Sequence, residues 1–151
     1  MHQATHSDSS IQGLRLLWLL TVVAAFFYNL GAVPLFDLDE GAFSQATREM
    51  FLRGDFLTTF LNGAPRYDKP ILIYWLQALS VSAFGVNEFA FRLPSALAAS
   101  LWSLLTVAFT RRVSTPRIGY VAGILMAGAV GVGVIGKAAT ADALLNTCLA
   151  G

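Results

Sequence analysis

Cysteine is almost absent from this chain: of 151 residues, only Cys148 is one. That excludes a disulfide framework and any zinc or thiol-redox motif, which need several thiols at set spacings. Cys148 sits in an apolar segment and reads as a small core or lipid-facing residue. Charge is scarce too, at 13% of residues, where an ordinary soluble domain carries about 25%. The net charge of +1 offers no argument for a nucleic-acid partner, and none is expected. Familiar catalytic signatures are missing as well: there is no G-x-x-x-x-G-K phosphate loop, no H-E-x-x-H helix and no Rossmann glycine fingerprint.

What remains is apolar. Hydrophobic residues make up 56% of the chain, and they fall in long unbroken runs, the pattern of membrane spans. Residues 14–35 form the first span, with an apolar core over 14–33. About twenty residues at ~1.5 Å each cross a bilayer core. A cleavable signal peptide is the rival, since Ala24 and Ala25 lie within the run. Its core is too long for that, and its basic flank is only Arg15, so an uncleaved signal anchor is preferred. Residues 1–13 are then a polar cytoplasmic tail expected to fray; His2 and His6 within it read as part of a flexible terminus, not a metal pair.

A second span is expected over residues 89–110, with Pro94 tolerated in its first turn. Arg111, Arg112 and Arg117 follow in the connection 111–117, which the positive-inside rule places in the cytoplasm. The third span, 118–137, is rich in glycine: Gly119 and Gly123 form a G-x-x-x-G, a signal for close helix packing. Parity then returns Lys137 and Asp142 to the face that carries residues 36–88. Residues 138–151 make a turn and open a fourth apolar segment of about nine residues, too short to span. The sequence is therefore expected to be the amino-terminal part of a longer protein.

Function is expected in residues 36–88. Asp37, Asp39 and Glu40 crowd the mouth of the first span, which is electrostatically costly unless something uses them. Asp37 and Glu40 are spaced for a capping box with Asp in the Ser/Thr role. That leaves Asp39 free in the first helical turn, where a dipole-stabilised surface acid is the plain alternative to a functional one. Phe43, Ala46, Met50 and Phe51 recur at helical spacing over 40–53, before Gly54 as the C′ residue. This is an amphipathic helix on the membrane surface. Asn62-Gly63 is a turn. Residues 71–84 are apolar but short for a crossing, so they read as a second juxtamembrane or re-entrant helix. Tyr74 and Trp75 suit the headgroup level.

Several short motifs recur in one order: Asp39-Glu40, then Ala46-Thr47-Arg48-Glu49-Met50, Gly54-Asp55 and Leu61-Asn62-Gly63. Asp68-Lys69-Pro70 follows before Tyr74-Trp75-Leu76, then Phe84-Gly85 with Glu88-Phe89, Arg92-Leu93-Pro94-Ser95-Ala96-Leu97, and Asp142-Ala143-Leu144-Leu145. In this order and spacing the chain, from about Phe36 onward, resembles the polytopic glycosyltransferases of the GT-C type. It is most similar to the protein O-mannosyltransferase superfamily and its bacterial relatives, including the aminoarabinose transferase that modifies lipid A. One departure is Ile71-Leu72 after Lys69-Pro70, where many relatives carry a second proline. A larger one is that most of the family's chain is absent.

The apolar runs and their charge parity give an all-α polytopic membrane protein: about three complete transmembrane helices plus the start of a fourth, with two juxtamembrane helices in a long first loop that the resemblance places in the periplasm. The resemblance implies transfer of a sugar from a polyprenyl-phosphate donor to a lipid A, protein or other glycan acceptor. The protein would be multi-pass in the bacterial inner membrane, with its active site facing the periplasm. A lipid-linked phosphate leaves readily, so a general acid matters less than in glycoside hydrolysis. The site needs a base or orienting carboxylate for the acceptor and cations for the leaving phosphate. Asp39 is the first candidate carboxylate, with Glu40 supporting it or holding the helix start. Asp142 is the second acid, orienting acceptor or metal. Lys69 is assigned to the donor phosphate as a point charge. Arg48 and Arg92 either bind that phosphate, pair with Glu49 or Glu88, or meet a lipid headgroup. Paired carboxylates could hold a divalent cation, and no other cofactor is expected. A transporter half or a non-catalytic scaffold is the competing class. Transporters place their charges near the midplane in broken helices, whereas here they lie at helix ends. The truncated chain is expected to be inactive alone.

Overall fold

In the computed structural model the described residues are 2–36 and 38–151, with side chains described from residue 9 onward. Helix α1 runs His2–Val22 and continues as a π-helical turn, Val23–Phe27. The polar residues before the span are thus helical, not frayed. Once a helix is nucleated, each added residue gains a hydrogen bond. The His2 and His6 side chains lie outside the described residues, as does Asp37 of the expected capping box.

Helix α2, Asp39–Arg53, stops on Gly54 in the left-handed conformation (φ 66°), a backbone that costs glycine nothing. Phe43, Ala46 and Met50 are buried against Ile73 and Tyr74. Phe51, the fourth apolar position of that pattern, is exposed and stands edge-on to Phe56. Strands β1, Phe60–Leu61, and β2, Ala64–Pro65, pair antiparallel around Asn62-Gly63, both at positive φ. Such a two-residue turn matches the twist of a hairpin. Helix α3, Leu72–Phe84, follows. Its Tyr74 is fully buried within the protein, while Trp75 is surface-exposed and donates to the Phe56 carbonyl at 2.7 Å.

Helix α4, Glu88–Val113, is capped by the Asn87 side chain, which accepts the Ala90 N–H. It starts early enough that Pro94 falls in the second turn, beyond the first-turn position expected for it. Its 26 residues reach about 39 Å, enough to cross a bilayer. Helices α5, Pro116–Gly128, and α6, Val130–Lys137, meet at a 65° bend. The third span, expected as one helix over 118–137, is therefore broken. Ala129 is extended (ψ 128°) and glycines flank it at 128, 131 and 133, each costing about 1 kcal/mol against alanine in a helix. Helix α7, Asp142–Ala150, completes the fold. Among the described residues, two helices are long and apolar enough to cross a membrane, or three if the bent pair is one span.

Helix α4 is the hub, packing against α3, α5, α6 and α7. A Cβ at Gly123 would overlap Val107 and Trp18, and one at Gly119 would overlap Arg111. The G-x-x-x-G therefore works as a contact surface, as its spacing predicts. Trp18 Nε1 donates to Ser103 at 3.0 Å, and Ser103 donates to the Gly123 carbonyl at 3.2 Å, tying three helices together. Arg92 and Arg111 lie on the same helix, 19 residues and so about 28 Å apart along its axis. Everything bonded to Arg92 is therefore at the opposite end from the arginine cluster.

Candidate functional site

The acidic mouth is organised by a buried ion pair. Glu40 and Arg92, 3% and 5% exposed, form a two-point contact: Arg92 Nε donates to Glu40 Oε1 and Nη2 to Oε2, both at 2.8 Å. Arg92 also donates to the carbonyls of Leu30, Val33 and Pro34 at 2.7–3.0 Å. All five guanidinium N–H groups are engaged. The Glu40 oxygens additionally accept the Phe36 N–H at 2.9 Å and the Ala139 N–H at 2.7 Å. Burial pushes the Glu40 carboxyl up, but the bonds from Arg92 and the two backbone N–H groups outweigh it and hold it below the usual carboxylate range.

These contacts correct two expectations. Arg92 is expected on a phosphate, on Glu88 or on a lipid headgroup; it pairs instead with Glu40 and has no N–H left for a ligand. Glu40, expected to be a catalytic helper or helix-starting residue, has its oxygens occupied and clamps α4 to the chain leading into α2. The N-terminal end of α2 has no side-chain cap among the described residues.

The same clamp fixes the α6–α7 connection. Besides Glu40, Gln77 donates to the Ala139 carbonyl at 3.1 Å and Ser95 to the Thr140 carbonyl at 3.0 Å. Gln77, fully buried, also accepts from Thr47 at 2.7 Å. Thr140 in turn donates to Asp142 Oδ2 at 3.0 Å. Side chains from α2, α3 and α4 thus hold one short backbone segment whose far end carries Asp142. Gln77 and Thr140 fall outside every motif singled out in the sequence, and Ser95 lies in the Arg92–Leu97 motif without a role of its own.

These elements enclose a cleft of about 860 Å³. Asp39, Asp142 and Lys137 line it alongside the Glu40–Arg92 pair, while Leu30, Val33, Phe36 and the α6 valines supply an apolar wall. Asp39 is exposed and makes no hydrogen bond or ion pair among the described residues. Lys69 is exposed and does not line the cleft. Nor does Arg48, which is exposed with its guanidinium 5.5 Å from the Phe91 ring centroid. Arg66, which has no motif role in the sequence, forks onto Asp68 at 2.7 and 3.3 Å and holds that carboxyl below its usual range. Its Nη1 is buried with no partner among the described residues, on a side chain that feels the Asp39 charge. Among the described residues no three of His, Cys, Asp or Glu group closely enough to hold a metal ion.

Comparison with known proteins agrees with the helical layout. Residues 68–151 match the family described as dolichyl-phosphate-mannose-protein mannosyltransferase. An undecaprenyl phosphate-alpha-4-amino-4-deoxy-L-arabinose arabinosyl transferase of Aeromonas salmonicida is 32% identical over 135 residues, 87% of this chain and 25% of its own. A like-named transferase of Pseudomonas fluorescens is 37% identical over 110 residues, 71% of this chain and 19% of its own. Among solved structures, ArnT from Cupriavidus metallidurans in the apo state superposes with a TM-score of 0.84 at 26% identity, over 93% of this chain and 26% of that one. The same protein bound to undecaprenyl phosphate gives 0.83 over 91% and 26%. The chain thus spans about a quarter or less of the length of these relatives.

Proposed function

The chain belongs to the dolichyl-phosphate-mannose-protein mannosyltransferase family, and on that premise we propose that it carries the acidic end of a membrane glycosyltransferase. The donor is a sugar on a polyprenyl phosphate, and the acceptor is a hydroxyl of lipid A, a protein or another glycan at the periplasmic face of the inner membrane. The observation that carries this reading is the cleft itself. It brings Asp39 and Asp142, far apart in sequence, to one apolar-walled space at the end of α4 remote from the arginines. In this topology α1, α4 and the broken α5–α6 pair cross the membrane, α7 opens a fourth crossing, and α2 and α3 lie in the periplasmic loop.

The chemistry follows from what is free. An acceptor oxygen attacks the anomeric carbon, and the bond from that carbon to the carrier phosphate oxygen breaks with its electron pair. The carrier phosphate leaves. Asp39, with no hydrogen bond or ion pair among the described residues, takes the acceptor proton; Asp142, held by Thr140, orients the acceptor. Lys69 meets the phosphate on the loop side. Glu40 and Arg92 are positioning residues. The bend between α5 and α6 is the one feature that favours the transport-like alternative, because discontinuous helices line transporter sites; family membership weighs against it.

The test is sugar transfer in membranes by the full-length protein. Asp39→Asn should lower turnover by about 10²–10⁴-fold, the usual range for a lost general base, and Lys69→Ala should also lower it. Normal turnover in both, with correct insertion, would overturn the assignment. Cysteine labelling at Asn62 and Ser114 should report opposite faces; labelling from one side would refute the topology.

A further inference from the structure

We infer that Lys137 is the cleft-side cation that receives the phosphate of the polyprenyl carrier, an assignment that rests on the function proposed above. Among the described residues, the cations lining the cleft are Arg92 and Lys137. Arg92 has spent all five N–H groups on Glu40 and three carbonyls. Lys137 is half-buried and makes no hydrogen bond or ion pair among the described residues. Its three N–H donors are therefore the cleft's uncommitted positive charge.

The charge balance points the same way. With Glu40 and Arg92 neutralising each other, Asp39 and Asp142 remain as carboxylates with no ion pair among the described residues, Asp142 accepting one hydrogen bond from Thr140. A phosphate entering that space without a cation would meet like charge on both sides. Lys137 offsets this, and as the last residue of α6 it sits where a helix dipole tolerates a cation. The dipole accounts for its tolerance there but not for its place in the cleft wall.

The broken helix supplies an independent reason. Irregular backbone at membrane depth persists where it lines a cavity, and α6 lines this one through Val130, Gly133 and Val134 before reaching Lys137. An apolar track ending in an ammonium matches a ligand with an isoprenoid tail and a phosphate head. Free phosphate shares only the head.

The experiment measures binding to the full-length protein in nanodiscs, with undecaprenyl phosphate, undecaprenol and inorganic phosphate as probes. Wild type should prefer the phosphorylated carrier to undecaprenol, and inorganic phosphate should not displace it. Lys137→Gln should weaken undecaprenyl phosphate about tenfold or more, the worth of a charged hydrogen bond, with undecaprenol unchanged. Lys137→Arg should restore most of the affinity. If wild type shows no preference for the phosphorylated carrier, the proposed function fails and Lys137 falls with it. If wild type discriminates but Lys137→Gln keeps its affinity, the Lys137 assignment alone is overturned. Equal loss of both lipids would mark a packing defect and overturn it too. Displacement by inorganic phosphate would refute recognition of the carrier as a lipid.

Discussion

Asp39 and Glu40 are sequence neighbours with the same functional group, and the fold treats them oppositely. Glu40 is buried, its oxygens taken by Arg92 and two backbone N–H groups. Asp39 faces the cleft with no internal hydrogen bond or ion pair among the described residues. A carboxylate whose lone pairs are filled by the protein holds structure, and one left open is available to a ligand. The difference is set by Arg92, which can reach one of the two and comes with its remaining donors already bound.

Breaking the pair should have the largest effect on stability. Glu40→Ala leaves the buried Arg92 charge without its partner, and Arg92→Met leaves Glu40 in the same position. Each should cost about 3–5 kcal/mol, the usual penalty for an orphaned buried charge. Replacing both residues by methionine should cost much less, because an apolar pair needs no counter-charge. Thermal unfolding in detergent reads all three. If Glu40→Ala costs no more than Asp39→Ala, the distinction between the two acids collapses.

A smaller effect should appear with acid. The folded pKa of Glu40 lies below its ordinary value of 4.5, since the bonds from Arg92, Phe36 and Ala139 outweigh burial. Between the two values the unfolded chain binds more protons, so stability rises with pH there. The contribution is fully present above the ordinary carboxylate range and is lost as pH falls through the lowered folded value. Glu40→Gln should remove this part of the acid dependence. A wild type and a Glu40→Gln variant with parallel stability curves from pH 6 downward would show that the pair does not bind protons differently on folding.

Much of the layout is legible in the sequence. The apolar runs mark α1 and α4, Gly54 ends α2, Asn62-Gly63 makes the hairpin turn, and Gly119 with Gly123 marks the packed face of α5. All these signals are local. The site is not. Arg92 has Glu88 one helical turn away, the pairing that sequence spacing favours, and yet it bonds to Glu40 across 52 positions. Likewise Lys137 is visible as a charge beside a glycine-rich run, but the 65° bend between α5 and α6, both packed against α4, is what sets α6 along the cleft. Gln77 looks like an ordinary polar residue in an apolar helix, and Ser95 like one member of the Arg92–Leu97 motif, until the Ala139–Thr140 backbone is placed against them.

Ser95 gives the smallest of these tests and the most specific. Its hydroxyl donates to the Thr140 carbonyl from within α4, while the neighbouring Ala139 backbone is held separately by Glu40 and Gln77. Ser95→Ala therefore removes one of several ties to the connection that carries Asp142. A single buried hydrogen bond is worth about 0.5–1.5 kcal/mol, so the global fold should survive. The loosened segment should show in faster hydrogen exchange at residues 138–142, and turnover should fall because Asp142 is less well placed, with exchange around the Glu40–Arg92 pair unchanged. If exchange in that segment stays at the wild-type rate, Glu40 and Gln77 suffice to hold it, and the filled carboxylate does more of the positioning than the site's geometry alone assigns to it.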